Sequence, residues 1–559
     1  MIVKAGHLLL IGVLTGLTCV QAAPNKPVFK DAYHATGFIR LPYAELDEPF
    51  EIFYQGKNKR SRIDVYNGMD KTFYRGDEPS YGNTYKISPA TISNNKWQET
   101  CFNVTGDKTN PVLPQSLLPD LTFFTYSRTE LRNGLMVDLW QNVTATTFSN
   151  LTRKSVYTFA VTRSAPVRPV RYEMMGYNTL LGSHFDKYVI DYEFFDETSA
   201  IPNTTFDIPK GLKCRGFPGP GMEHQIKVNP FREMINPEMG DRYHHLFNEF
   251  KDQFGKRYET TQEHETRKGH FTKNVRMIHS MNRANRGFTL AINHLADLAE
   301  DEFRKIRGRQ RSSGSNHGIP FDGSRIKLED VPDSIDWNIL GAVSPVKDQA
   351  ICGSCWSFGA AEAIEGGYFV KNKKRIRVSQ QMLMDCTWAM GNNGCDGGEE
   401  WRAYEWLKKN KVGFEAEEDY GPYLGQDGEC HYDKSKGITT LSRYVNVTSG
   451  NQGDVKKAIS TRGPISVGID AHLPSFAFYS YGVYYDAKCG NTSNDLDHAV
   501  LAVGYGTYNG QDYWLIKNSW STYWGNNGYV MISMKDNNCG VATDATYPCF
   551  GFLDCLPIL

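Results

Sequence analysis

A cysteine becomes a useful nucleophile only where its surroundings favour the thiolate, and one segment of this chain meets that condition. The segment is Pro345-Val-Lys-Asp-Gln349-Ala-Ile-Cys352-Gly-Ser-Cys355-Trp-Ser-Phe-Gly-Ala360, followed by a helix-like run from Ala361 to Phe369. Cys355 therefore falls at a helix N-terminus, where free backbone N–H groups and the helix dipole stabilise negative charge. A Cys-x-x-Cys pair also fits half a zinc site or a thioredoxin-like redox site. Neither has its complement here: no second close cysteine pair with suitable histidine spacing follows, and no βαβ unit surrounds the pair.

Cysteine arithmetic bears on the same residue. Of twelve cysteines, Cys19 lies within residues 1–23, which read as a signal peptide: Lys4, an apolar run through Leu17, then Ala22 and Ala23. Six Asn-x-Ser/Thr sequons, at Asn103, Asn142, Asn150, Asn203, Asn446 and Asn491, agree with passage through the secretory pathway. Eleven cysteines then remain in an oxidising compartment, and five disulfides leave one thiol over. Such a thiol is either an intermolecular link or a nucleophile.

Three blocks bring a family into view. Gln349-x5-Cys355-Trp356, Leu496-Asp-His498-Ala-Val-Leu501 and Trp514-Leu-Ile-Lys-Asn518-Ser-Trp520 resemble, in that order, the active-site blocks of papain-like cysteine proteases. Tyr523-Trp-Gly-x-x-Gly528-Tyr resembles the cathepsin L-like branch, and the resemblance covers roughly residues 241–550. It implies an α+β architecture: a papain-like two-lobed catalytic domain, one lobe helical and one β-barrel-like, behind a helical inhibitory propeptide. It also implies a cysteine endopeptidase made as a zymogen, acting on protein and peptide substrates with no cofactor and no metal.

The roles that follow are those the chemistry of amide hydrolysis demands. Cys355 supplies the thiolate and forms a thioester, and His498 protonates the departing nitrogen. Asn518 would hold the other ring nitrogen of His498, as in a Cys-His-Asn triad. The resemblance further implies that Trp520 shields that bond from water and that Gln349 joins the Cys355 backbone N–H in an oxyanion hole. The resemblance pairs Cys352 with Cys395, Cys386 with Cys430 and Cys489 with Cys539. With Cys355 as the nucleophile ten cysteines remain for five bridges, and Cys101–Cys214 and Cys549–Cys555 are the pairings expected for the other four.

Other features position or restrain this site. Tyr243, Phe247, Phe250, Phe254 and Tyr258 recur at a helical period. A second stripe, Glu263, Arg267, Phe271, Asn274, Ile278 and Asn282, stays on one helix face, yet its polar members need specific partners. It resembles the inhibitory propeptide helix of the cathepsin L-like branch, and Asn293-His-Leu-Ala-Asp297 the motif after it, with Leu295 where Phe is usual. Arg307-Gly-Arg-Gln-Arg311-Ser-Ser-Gly-Ser-Asn-His-Gly318 reads as an exposed, protease-accessible linker. Residues 241–311 carry 15 Lys/Arg against 10 Asp/Glu, and residues 331–559 carry 19 against 26. Opposite net charge would hold the propeptide across the cleft, and acid would loosen it as carboxylates protonate.

Specificity is where the chain departs from its relatives. Gly394-Cys-Asp-Gly397-Gly398 resembles the glycine strip that hydrogen-bonds an extended substrate, but Glu399 and Glu400 follow where apolar residues are usual. By the same resemblance Asp544 forms the floor of the pocket for the second residue before the scissile bond, with Leu496, Ala499 and Gly468 around it. Arg or Lys should therefore enter as well as apolar side chains. Against this stands the arrangement in which both glutamates face solvent and Asp544 is paired elsewhere.

Length and composition bound the rest. At 559 residues, 40% hydrophobic and 22% charged, the chain is globular and long enough for several domains. A net charge of −1 argues against a nucleic-acid partner, and no apolar run is long enough for a membrane span. The organisation expected is a signal at 1–23, a β-rich domain at 24–228, propeptide and linker at 229–325, and the catalytic domain at 326–559. Phe50–Tyr54, Arg62–Tyr66, Gly134–Trp140 and Ser155–Val161 read as strands of the β-rich part, with a turn at Asn133-Gly134. Lys210 to Gly221 reads as a linker, and His34 and His184 as surface or core residues rather than ligands. A domain before the propeptide resembles the two-chain cathepsin L-like proteinases of insect hemocytes, known as the 26/29 kDa type, so it is expected to stay attached as a second chain. Delivery would be lysosomal or extracellular. The alternatives are a protease inhibitor acting through its propeptide and a binding or carrier protein built on the β domain. A transglutaminase would also use Cys and His, but its third member is usually Asp.

Overall fold

The computed structural model describes residues 23–551, apart from 45, 93–95, 149–150, 179–182, 217–230, 236–241, 312–313 and 315. Residues 1–22 of the expected signal at 1–23, residues 217–221 of the expected linker, and Cys555 lie outside the described residues. The β-rich N-terminal region is one twelve-stranded sheet. From one edge its order is Cys214–Gly216, Lys96–Thr105, Asn83–Ile92, Asp70–Arg75, Arg60–Val65, Leu46–Gln55, Ala32–Leu41, Ser183–Asp196, Pro169–Asn178, Leu151–Thr162, Leu135–Phe148 and Thr125–Arg132. Neighbours are antiparallel except Cys214–Gly216, which pairs parallel to Lys96–Thr105 where the Cys101–Cys214 disulfide joins them. Ala32–Leu41 alternates buried and less buried residues along its length, as a strand with one core face must. Asn133 and Gly134, both at positive φ, close one hairpin, a conformation that Asn-Gly adopts readily. His34 pairs with Glu51 at 2.8 Å and stacks on Phe53, a structural role.

Two helices follow, Arg242–Phe254 and Thr261–Arg283. The first stripe is helical only as far as Phe254: Gly255 at φ +64° ends the helix, and Tyr258 lies beyond it with its hydroxyl donating to Asp297 at 2.9 Å. The second helix starts on Thr260, whose side chain accepts from the Glu263 N–H.

The remaining chain forms two lobes; one has its own hydrophobic core, and the core of the other is continuous with the buried residues of these helices and of the N-terminal sheet. One lobe is helical, built from Cys355–Asn372, Gln380–Cys386 and Glu400–Asn410. The Cys355–Asn372 helix buries its first twelve residues on every side, so it lies at the centre. The other lobe is a sheet running Tyr479–Tyr484, Tyr529–Ser533, Gln511–Lys517, His498–Tyr508, Ile465–Ile469, Ala545–Cys549 and Arg443–Asn446. Phe288–Leu290 extends this sheet at one edge and Ile319–Pro320 at the other. Disulfides Cys352–Cys395 and Cys386–Cys430 staple the helical lobe, and Cys489–Cys539 the other. Cys549 is disulfide-bonded as well, and Cys355 is free. Among the described residues no helix is long and apolar enough to cross a membrane.

Candidate active site

Cys355 is the first residue of its helix, with Ser354 at the N-cap, so its sulfur sits on the positive end of an eighteen-residue dipole. His498 opens the strand His498–Tyr508, and Asn518 follows the strand Gln511–Lys517. The helix thus comes from one lobe and the imidazole and amide from the other. Ala499, next to His498, directs its backbone N–H at the Cys355 sulfur. All three side chains are buried.

The hydrogen bonds fix the tautomer. Asn518 Oδ1 accepts the Ser519 backbone N–H at 2.8 Å, so the same oxygen, 2.8 Å from His498 Nε2, must accept there too. Nε2 therefore carries the proton and Nδ1, which has no hydrogen-bond partner, is left as the base. Trp520 stacks on the His498 ring with centroids 4.6 Å apart, covering the pair. Gln349 is oriented by Ser519, whose hydroxyl donates to Oε1 at 2.6 Å. Its Nε2 then donates to the carbonyls of Cys352 at 2.7 Å and Ile306 at 2.9 Å. Ser519 is a site residue the sequence reading did not single out.

Ile306 belongs to the segment before the catalytic lobes, and that segment fills the cleft. The expectation of an exposed linker from Arg307 is corrected here: Arg307 and Arg309 are 7% and 4% exposed, and exposure resumes at Gln310. Gly308 passes so close to Gly353 that a Cβ would lie 1.8 Å from the Gly353 carbonyl oxygen, so only glycine fits. The Gly398 N–H donates to the Gly308 carbonyl at 2.9 Å and the Gln310 N–H to the Gly398 carbonyl at 3.1 Å, a parallel bridge on the glycine strip. Gly397, at φ +114°, would bring a Cβ within 2.7 Å of the Gly308 carbonyl oxygen.

Arg309 enters a pocket. Its Nε donates to both Glu400 oxygens at 3.2 and 3.3 Å, and its Nη2 donates to Asp544. Gly468 faces the guanidinium, where a Cβ would lie 2.8 Å from Cζ. Leu496 is buried behind, against Gly540, and Ala499 packs against Gly359 of the Cys355 helix. The two glutamates part company: Glu400 faces the pocket, while Glu399 is buried against Arg402 at 3.3 Å. Burial raises the Glu400 carboxyl above its ordinary range, with Arg309 opposing. Arg309 was invisible as a site residue, because nothing in Arg-Gly-Arg-Gln-Arg marks which arginine enters a pocket.

Covering the site changes its protonation. Burial pushes the Cys355 thiol up to about 12, against the Ala499 and Gly308 N–H groups, and lowers His498 to about 4, against its bond to Asn518. The covered site therefore holds a thiol and a neutral imidazole.

The polar stripe of Thr261–Arg283 finds its partners on the same body. Arg267 pairs with Glu302, its Nη2 2.7 Å from Oε1. Asn274 Nδ2 donates to the Ala296 carbonyl at 2.9 Å, and Asn282 exchanges bonds with Leu290 at 2.8 and 2.9 Å. Phe271 and Ile278 between them are buried.

Two family profiles match along the chain. The papain family cysteine protease profile matches residues 331–549, and the cathepsin propeptide inhibitor domain (I29) matches residues 247–303. A cathepsin L-like peptidase of Aedes aegypti is 43% identical over 315 residues, 54% of this chain and 92% of that protein. Procathepsin L of Rattus norvegicus is 39% identical over 325 residues, 56% of this chain and 95% of its own length. The structure of digestive procathepsin L 3 from Tenebrio molitor larval midgut superposes with a TM-score of 0.51 at 36% identity, covering 56% of this chain and all of that one. The chain belongs to the papain family of cysteine proteases, as a zymogen with a cathepsin-type propeptide ahead of its endopeptidase domain.

Proposed function

We propose that this protein is a secreted or lysosomal cysteine endopeptidase that cleaves peptide bonds through Cys355, His498, Asn518 and Gln349. The observation that carries the assignment is the one free thiol among the described cysteines, on a helix N-terminus with the backbone N–H of Ala499 directed at it, next in the chain to His498, whose Nδ1 has no hydrogen-bond partner. Once the propeptide leaves, His498 Nδ1 takes the thiol proton and the Cys355 thiolate attacks the substrate carbonyl. The oxyanion takes the Gln349 N–H that Ile306 now occupies, together with the Cys355 N–H. His498 returns its proton to the leaving amine, and water hydrolyses the thioester. Labelling of the matured protein by a thiol-directed epoxysuccinyl probe tests the reading. It should disappear in Cys355→Ala, and an unlabelled wild type would refute it.

The subsite for the second residue before the scissile bond is assigned to Glu400, Asp544, Leu496, Ala499 and Gly468, with Gly397 and Gly398 holding substrate backbone and Trp520 walling the histidine. Support for a basic substrate side chain comes from Arg309, a guanidinium already seated between Glu400 and Asp544. Paired fluorogenic peptides with Arg or Phe at that position decide it. A tenfold preference for Phe that Asp544→Ala does not change would end the assignment. Routing through the secretory pathway rests on residues 1–23, the sequons and the disulfides.

A further inference from the structure

The Thr261–Arg283 helix is polar on more than one face, which a helix tolerates when it bridges two bodies. One stripe, Glu263 to Asn282, serves the propeptide itself. A second set, Glu265, Arg276 and Ser280, sits two residues after Glu263, Asn274 and Ile278, about 200° further round the helix. These side chains turn away from the inhibitory contacts, and solvent does not receive them.

The N-terminal sheet receives them instead. Arg153 pairs with Glu265, and Asp186 accepts from Arg276 Nη1 with both oxygens at 2.8 Å. Glu48, 2% exposed, accepts from Arg283 Nε and Nη2 at 2.8 Å each and from the Ser280 hydroxyl at 2.7 Å. The Tyr66 hydroxyl is 2.7 Å from the same Ser280 oxygen. Behind them Lys86 donates to Asp70 at 2.5 Å, and both are buried. Burying charges this completely is costly unless every one is paired, so the cluster tolerates one position of the helix and few others.

That position matters for what comes next along the chain. Asn282 ties the helix end to Leu290, and the intervening residues cross to the catalytic domain. Arg286 pairs with Asp486 at 3.1 Å, and Phe288–Leu290 adds a strand beside Tyr479–Tyr484. Arg283, held by the sheet domain, thus stands three residues from the first catalytic-domain ion pair. From these juxtapositions we infer that the N-terminal sheet domain is a binding partner for the outward face of the inhibitory helix. It fixes the helix end from which the inhibitory chain enters the catalytic domain, and so strengthens latency from the side opposite the cleft. Its recognition elements are Glu48, Tyr66 and Asp186, and its ligand is a helix bearing Arg, Ser and Arg at positions i, i+4 and i+7.

The pair Asp186–Arg276, with side chains 19% and 13% exposed, can be altered without opening the buried cluster. Asp186→Arg and Arg276→Glu each place like charges together, and the double variant exchanges them. In the full-length precursor carrying Cys355→Ala, backbone hydrogen exchange across 276–290 should quicken at least fivefold in each single variant and return to within twofold in the double. With Cys355 present, epoxysuccinyl labelling of the uncleaved precursor at neutral pH should follow the same order. Matured enzyme from all variants should show the same kcat/KM. Unchanged exchange in both single variants, or a double variant no slower than the singles, overturns the inference. Exchange does not depend on catalysis, so a failure of the protease assignment would show separately, as a matured wild type that the probe does not label.

Discussion

Acid should open this zymogen through His498, and the sign can be worked from the covered site. Burial under the propeptide holds His498 at about 4 rather than its ordinary 6.5. Between those values the covered form binds fewer protons than the open one, so opening takes up a proton and gains free energy as pH falls through 6.5. If opening returns His498 to its ordinary value, going from pH 7 to pH 5 favours the open form by about 2 kcal/mol, roughly twentyfold. In the covered site burial raises Asp497 to about 6 and Glu400 above its ordinary range, each against the pull of its arginine. The assay is hydrogen exchange over residues 304–311 in the Cys355→Ala precursor, at pH 7 and pH 5, corrected for intrinsic exchange. The open population should rise in acid, and His498→Gln should flatten that rise. A His498→Gln precursor that opens in acid as readily as its parent would refute the reasoning.

Gln349→Ala should lower kcat by two to three orders of magnitude, about 3 kcal/mol, with KM little moved, since its N–H is aimed where charge develops; steady-state kinetics on one peptide checks it. Asp544→Asn should cut kcat/KM for Arg substrates roughly tenfold relative to Phe, a modest loss because Asp544 is 34% exposed, while Glu400→Gln, fully buried, should cut it more. The Arg/Phe ratio in the wild type should rise with pH as Glu400 ionises, because only the carboxylate pairs with a guanidinium. Arg267→Met should destabilise the propeptide: the Arg267–Glu302 pair holds Glu302 below its ordinary range, so its contribution is present above pH 4.5 and fades below that. Thermal unfolding of the Cys355→Ala precursor at pH 7 and pH 3.5 should show a large difference from the parent only at the higher pH.

Much of this architecture was legible as pattern. Aromatic and β-branched residues marked Phe50–Tyr54 and Ser155–Val161 as strands, and both lie inside longer observed strands, Leu46–Gln55 and Leu151–Thr162. The stripe from Glu263 to Asn282 announced a helix with polar partners, though the partners themselves, Glu302, Ala296 and Leu290, lay at distances no local rule reaches. The helix over Arg242–Phe254 ended before its apolar period did, since Gly255 turned left-handed and freed Tyr258 to reach Asp297. The segment from Arg307 read as exposed because basic, glycine-spaced residues are solvated by default. Two of its arginines are buried only because carboxylates from distant parts of the chain converge on them.

What the sequence determined by itself was the chemistry available: one cysteine at a helix start, an imidazole, an amide, and two acidic residues in a stretch where apolar ones are expected. Types and short spacings suffice for that, because nucleophilicity and helix periodicity are local properties. Tertiary structure decided which of those groups meet, which nitrogen of His498 is the base, and that Glu400 rather than Glu399 faces Arg309. It alone set the Glu48–Arg283 contact, across more than two hundred residues. Electrostatics and hydrogen bonding act through space over a few ångströms, and only the fold brings residues so far apart in the chain within that range.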